Sequence, residues 1–441
     1  MNKNAPSFVI DTSIPDLGRA TLPSPLPKES LLASKRTVTL TIDKELVSEL
    51  NEPVEVDFEL AGAREDIFFD PRKTKCAIVT CGGLCPGLND VIRAIVMAAH
   101  YRYGVRSVWG VRYGLKGLIP SCGLDLEELT PERVSQIHEF GGTILGTSRG
   151  PQDPAEIVDA LVRLNINILF LIGGDGTMRA AAAIYEEVKK QGLKLSIIGI
   201  PKTIDNDINL IPQSFGFETA VEKATEALRS AHTEAESVIN GIGLVKLMGR
   251  ESGFIAATAT VSLREANFVL VPEVPFTMEG PRGFLPALEK RLKNRKHALI
   301  VVAEGAGQNL IDAGTGKDAS GNRVLGDIAG FLVSSIKEYL GARNIPYHMK
   351  YIDPSYMIRA VPANVNDRLY CATLGKNAVH AAMAGKTGMV VGKIMDRHVH
   401  LPLHLVVQKR RTMRPDSELW HGVLEATGQD EHMGAAWGGQ H

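Results

Sequence analysis

Seven consecutive residues, Pro201-Lys202-Thr203-Ile204-Asp205-Asn206-Asp207, crowd a lysine, a hydroxyl, an amide and two carboxylates directly behind the apolar run Leu195–Ile200. Phosphoryl transfer to a hydroxyl needs those groups: a base for the acceptor proton, a metal on the donor phosphates, and cations for the developing charge. Asp205 and Asp207 lie two apart, so an extended chain points them to opposite sides, while a bent loop aims both one way. Either could be the base, the other then placing a magnesium ion and its waters. Lys202 could neutralise a donor phosphate. A simple Asx-turn accounts for two of these residues but explains neither the lysine nor the threonine.

Two glycine-rich stretches fit a phosphorylated donor. Residues 80–90 read TCGGLCPGLND and residues 171–180 read LIGGDGTMRA, each at the end of an apolar strand and the start of a helix. Glycine lets the backbone approach a ligand, and the helix N-terminus adds positive potential. Neither stretch is a Walker loop or a dinucleotide turn. Asp175 could reach a metal on phosphate oxygens or simply cap its helix. Residues 247–253 (LMGRESG) repeat the strand–turn–helix pattern with Arg250, a side chain that can fork onto a phosphate. Arg149 and Arg359 are further arginines in turn-like contexts, each by itself an ordinary surface charge.

The elements that must carry these residues are strands apolar throughout, alternating with helices. That pattern predicts mostly parallel sheets covered on both faces. In a chain of 441 residues it predicts an α/β protein with two doubly wound parallel-sheet domains. Ligands then gather beyond the carboxyl ends of the strands. The expected layout is an N-terminal extension over 1–70, one α/β domain over 71–215 completed by about 360–405, a second α/β domain over 216–360, and a tail over 406–441. The extension carries two strand-like runs, RTVTLTI and PVEVDFEL, and the last thirty or so residues end in a low-complexity stretch that is expected to fray. A net charge of −1 argues against nucleic acid and membrane surfaces as partners. No apolar run is long enough to span a bilayer and no signal peptide is evident. Five cysteines without zinc spacing fit reduced thiols and a cytoplasmic location.

Taken together, GGLCPGLN, ILGTSRG, GGDGT, PKTIDND, MGRESG, PEVPF, AEGAG and DPSYMIRA stand, over roughly residues 75–370, in the order of the 6-phosphofructokinase family, which the chain closely resembles. The resemblance implies a glycolytic, allosteric homodimer or homotetramer acting on fructose 6-phosphate, with the site in the cleft between the two domains. It places Gly82, Arg149, Gly150, Gly173, Gly174, Asp175 and Gly176 at the nucleotide, with Asp175 and Asp207 serving Mg2+. Thr203, Ile204 and Asp205 meet the sugar phosphate, with Asp205 as the base at the 1-hydroxyl. Met248, Gly249, Arg250, Glu304, Tyr356, Met357, Ile358 and Arg359 bind the sugar phosphate. Lys202 and Arg250 assist at the reacting phosphoryl group.

The departures from the short bacterial pattern are informative. Leu84 replaces an acidic residue, Tyr356 replaces a histidine, and Lys350 stands where an interface arginine is usual, keeping the charge but losing the bidentate fork. Pyrophosphate-using relatives carry an aspartate at the position of Gly176, which blocks the α-phosphate of a nucleotide, and they share Lys202. A steric block outranks an extra charge, so the combination of Gly176 with Lys202 resembles the long ATP-dependent branch. The expected activity is Mg2+-dependent transfer of the ATP γ-phosphoryl group to fructose 6-phosphate. A pyrophosphate-dependent enzyme and a catalytically silent sugar-phosphate-binding subunit are the alternatives.

Overall fold

The computed structural model describes residues 10–32, 36–40, 56–311, 316 and 323–434. It is an α/β protein that divides into two compact units. The first takes the described residues up to Thr203, then Ile208–Phe215 and Val365–Lys409; the second takes Ile204–Asp207, Gly216–Asn364 and the described residues from Arg410 onward.

The strands used below are, in chain order, β1 (Thr37–Thr39), β2 (Asp57–Glu59), β3 (Lys75–Thr80), β4 (Ser107–Val111), β5 (Glu127–Glu128), β6 (Ile168–Gly173), β7 (Ser196–Pro201), β8 (Gly241–Leu247), β9 (Phe268–Leu270), β10 (His297–Ala303), β11 (His348–Ile352), β12 (Met389–Ile394) and β13 (Arg397–Pro402). The helices used below are α1 (Leu88–Met97), α2 (Pro154–Arg163), α3 (Asp175–Lys190), α4 (Phe217–Glu236), α5 (Phe254–Leu263), α6 (Phe284–Arg295), α7 (Ile328–Ala342), α8 (Ser355–Arg359), α9 (Val365–Met383) and α10 (Glu418–Thr427).

The first unit is built on a seven-stranded sheet in the order β13-β12-β7-β6-β3-β4-β5. Its five central strands run parallel and the two edge strands antiparallel. Every residue of β6 and β7 is buried, as expected of strands covered on both faces. Helices α2 and α3 pack together, α9 packs on α1, and the core runs through Val79, Leu169, Leu171, Ile197 and Leu401. The N-terminal strands β1 and β2 pair antiparallel, Phe58 is fully buried, and Leu60 bridges to Val399 of β13. Residues 41–42 and 53–55 of the two strand-like runs lie outside the described residues.

The second unit holds a four-stranded, all-parallel sheet in the order β9-β10-β8-β11. Its core joins Ile242 and Leu244 of β8 to Ile300 of β10, Leu288 of α6 and Leu332 of α7. The apolar run around β9 is cut to three residues because Pro272 and Pro275 follow, and proline has no N–H to donate to a ladder. The C-terminal segment is packed as far as residue 434. Helix α10 packs on α5, Trp420 is 1% exposed, and Gln429 closes on the Val269 backbone in both directions. The buried indole anchors this segment. Residues 435–441, the low-complexity end of that segment, lie outside the described residues.

Candidate active site

The residues expected at the donor come from three strand ends of the first unit. Strand β6 stops at Gly173, and a Cβ there would fall 2.1 Å from the Thr177 hydroxyl oxygen. The chain turns so tightly that Thr177 and Met178 both donate backbone N–H groups to the Gly174 carbonyl. Only glycine fits at 173, and the reason is packing within the turn. Gly176 differs: a Cβ built on it meets no atom within 4 Å. Asp175 opens α3 and its carboxylate lies 2.5 Å from Arg179, one turn further along the helix.

The turn after β3 approaches from the side. Gly82 takes φ = 83°, a left-handed conformation that favours glycine. Its N–H donates to the Ser148 carbonyl, and the Thr147 hydroxyl donates back to the Gly82 carbonyl. Residues 147 and 148 immediately precede Arg149 and Gly150, both exposed, so the ILGTSRG stretch is fastened to the first glycine turn. Lys202, buried, donates its Nζ to the Gly83 carbonyl at 2.7 Å. Its backbone N–H donates to the Gly173 carbonyl. One lysine therefore ties the two glycine turns together, and its charge stands beside both.

After Thr203, whose carbonyl accepts from the Ser214 hydroxyl, the chain enters the second unit. Asn206 sits at φ = 57°, a left-handed conformation that asparagine tolerates. The loop is bent, as convergence of Asp205 and Asp207 requires. The Ser252 hydroxyl donates to the Asp205 carbonyl at 2.9 Å. Arg411 donates its backbone N–H to the Asp207 carbonyl and its Nη1 to the Asn206 carbonyl. The guanidinium also lies over the Phe254 ring, 4.3 Å from its centroid, a stacking that fixes its orientation.

Among the residues expected at the acceptor, half-buried Met248 follows β8 and leads to Gly249 and Arg250. Gly249 takes φ = 124°, and a Cβ on it would fall 2.3 Å from the Ser252 carbonyl oxygen. The Gly305 N–H donates to the Gly249 carbonyl, so the MGRESG and AEGAG turns pack backbone to backbone. Arg250 donates to the Arg323 carbonyl. Glu304 follows β10; burial raises its pKa above the usual carboxylate value, while Arg250, Lys246 and Arg359 pull the other way and Asp353 reinforces the rise. Three cations and one carboxylate thus act on Glu304.

The remaining acceptor residues divide. Arg359 lies over the Tyr356 ring, 4.7 Å from its centroid. Tyr356 and Met357 are exposed, whereas the Ile358 side chain is fully buried and offers a ligand only its backbone. Ile204 is likewise buried. Lys350 is exposed on β11, paired in register with Gly243.

Sequence reasoning missed several residues here. Lys246 pairs with Asp353 at 2.8 Å. Burial opposes its charge, but the Asp353 hydrogen bond and charge prevail and hold its pKa above the usual lysine value. A single charge inside the apolar run of β8 was the available signal. Glu273 of PEVPF accepts from the Gly253 and Met413 backbone N–H groups, and burial raises its pKa. Arg411 had no local signal, because its role depends on a segment distant in sequence.

Comparison with known proteins supplies the family. The family model described as Phosphofructokinase matches residues 75–382. The ATP-dependent 6-phosphofructokinase of Borreliella burgdorferi is 52% identical over 386 residues, 86% of each chain. The chloroplastic ATP-dependent 6-phosphofructokinase 4 of Arabidopsis thaliana is 45% identical over 429 residues, 95% of this chain and 80% of its own. Among solved structures, a pyrophosphate-dependent phosphofructokinase from Marinobacter aquaeolei superposes with a TM-score of 0.66 at 20% identity, covering 80% of this chain and 91% of its own. That likeness speaks to the fold alone. The matched span takes in both glycine turns, the bent aspartate loop and the residues around Glu304, and the chain belongs to the phosphofructokinase family.

Proposed function

We propose that the chain is an ATP-dependent 6-phosphofructokinase, moving the γ-phosphoryl group of ATP to the 1-hydroxyl of fructose 6-phosphate in glycolysis. The observation that carries this reading is its identity of 52% to an ATP-dependent enzyme across 86% of both chains. The open space around Gly176 supports ATP as donor, because the nucleotide's α-phosphate needs room there.

Asp205 takes the proton from the 1-hydroxyl, leaving an alkoxide-like oxygen to attack the γ-phosphorus as the bond to the β-phosphate oxygen breaks. Lys202, Gly82 and the Gly173–Gly176 turn hold the donor phosphates, with Arg149 and Gly150 beside them. Thr203, Ile204, Met248, Gly249, Arg250, Glu304 and Arg359 hold the sugar phosphate. Tyr356 and Met357 offer exposed contact, and Ile358 offers backbone. Lys350 meets the 6-phosphate region of an assembled dimer or tetramer.

The carboxylates of Asp175 and Asp207 are hard oxygen donors of the kind magnesium prefers. Bound Mg2+ would neutralise charge on the donor phosphates. The five cysteines are free, which fits work in the reducing cytoplasm. Among the described residues no helix is long and apolar enough to cross a membrane.

The deciding experiment measures initial rates with ATP and with pyrophosphate as sole donor. Fast turnover with ATP and little with pyrophosphate supports the reading. The reverse makes Lys202, the residue shared with pyrophosphate-using relatives, the better guide to the donor. No turnover with either leaves a silent binding subunit.

A further inference from the structure

A second cluster of ligating side chains lies in the second unit. His232 and Glu236 stand four residues apart in the last turns of α4, and His297 begins β10. These three side chains each offer one ligand atom, all within 4.8 Å of one another. The Glu236 Oε1 lies 3.6 Å from the His232 Nε2 and 3.7 Å from the His297 Nε2. A tetrahedral zinc ion with ligands at about 2.1 Å separates neighbouring donor atoms by about 3.4 Å. The cluster is therefore close to that spacing without a metal.

The surroundings orient both rings. The His297 Nδ1 lies 3.1 Å from the Arg295 carbonyl, a partner that puts the proton on Nδ1 and the lone pair on Nε2. The His232 Nδ1 lies 3.3 Å from the Glu265 Oε2. That oxygen is buried and has no hydrogen-bond partner. Zinc-bound histidines characteristically direct their second nitrogen at a carboxylate or a carbonyl; here the His297 Nδ1 meets a carbonyl, and a carboxylate oxygen still without a hydrogen bond stands 3.3 Å from the His232 Nδ1. We propose that His232, Glu236 and His297 form a zinc site, with Glu265 and the Arg295 carbonyl orienting the two rings and the fourth position left to water.

Two imidazoles and one carboxylate suit zinc better than magnesium or calcium, which prefer oxygen-only sets. Within its own unit the site is separate from the residues around Glu304. His297 starts the seven-residue strand β10 and Glu304 follows its other end, a run of about 20 Å. Zinc there clips the end of α4 to the start of β10. One cation competes: the Arg291 Nη2 lies 3.3 Å from the His297 Nε2 and must swing aside.

The test titrates zinc, and cobalt as a spectroscopic stand-in, into the chelator-treated full chain in excess Mg2+. Cys122, an exposed thiol, is replaced by serine to remove a rival ligand. One equivalent bound, with the visible absorption of four-coordinate cobalt and a zinc-dependent rise in Tm, is expected. His297→Ala and Glu236→Gln should lose binding, and Glu265→Gln should weaken it about ten- to hundredfold, all with phosphofructokinase turnover intact. Glu236 is half exposed, so its variant decides the matter if His297→Ala does not fold. Absence of binding, or equal binding in Glu236→Gln, overturns the site.

Discussion

Arg411 donates its Nη1 to the carbonyl of Asn206 at 3.0 Å, so a residue 205 positions downstream holds the bend between the two candidate aspartates. Its backbone N–H holds the Asp207 carbonyl as well. Arg411→Ala should leave the Asn206 carbonyl without this donor and loosen the loop. A displacement of about 1 Å costs on the order of a hundredfold in turnover, so kcat should fall ten- to hundredfold with KM for ATP nearly unchanged. Steady-state kinetics check this. A kcat within twofold of the parent would show that the loop keeps its shape unaided.

Asp205→Asn removes the base and keeps the size. General-base catalysis contributes about 10²–10⁴ in rate, and turnover should drop by that factor while fructose 6-phosphate binding, measured by calorimetry, changes little. Asp207→Asn should instead raise the magnesium concentration needed for half-maximal rate. If the two variants exchange behaviours, the roles of the two aspartates are reversed.

Gly176→Asp tests the donor. A Cβ at 176 meets nothing within 4 Å and an acidic residue suits a helix first turn, so Tm should hold. The carboxylate would enter the space an α-phosphate needs. The rate with ATP should fall tenfold or more, with KM for fructose 6-phosphate unchanged. An unchanged ATP rate would remove Gly176 as the donor determinant.

Acid should destabilise the first unit. Burial pushes His380 and His398 down to about 4, below the ordinary histidine value of about 6.5. Both are neutral when folded and gain protons more readily when unfolded. Their contribution is therefore present above about pH 6.5 and lost as pH falls toward 4, up to roughly 3 kcal/mol for His380 and less for the partly exposed His398. Asp90 works the other way. Burial raises it to about 6, so its ionisation costs stability above that pH, and acidification relieves the cost. Tm measured between pH 7 and 4 should fall, and His380→Gln should flatten the slope. The Tyr103 hydroxyl, 2.7 Å from the His380 Nδ1, should accommodate the glutamine.

The fold was legible because its signals were local, and the candidate site residues were proposed from the same local signals. Apolar strands ending in glycine, as at β3 and β6, announce parallel strand–turn–helix units, and PKTIDND carries its chemistry in adjacent positions. What escaped was non-local. Nothing near Arg411 or Trp420 in sequence says which backbone or helix awaits them. The GGDGT turn also reads uniformly as a phosphate cradle, although Gly173 is demanded by Thr177 and only Gly176 faces open space. Spacing alone could not separate those two reasons for glycine.

The late residues of the chain also govern how it is made. Met433 belongs to the same buried cluster as Ile242 and Leu244, and Trp420 lies in the helix that packs on α5. The sheet of the first unit likewise waits for β12 and β13. A ribosome adding about 5–20 residues each second exposes the early strands for many seconds before their last partners emerge. Neither core can close during synthesis. A nascent chain stalled before residue 389 should need chaperone protection for both units, and a premature stop near the end should cost the whole protein.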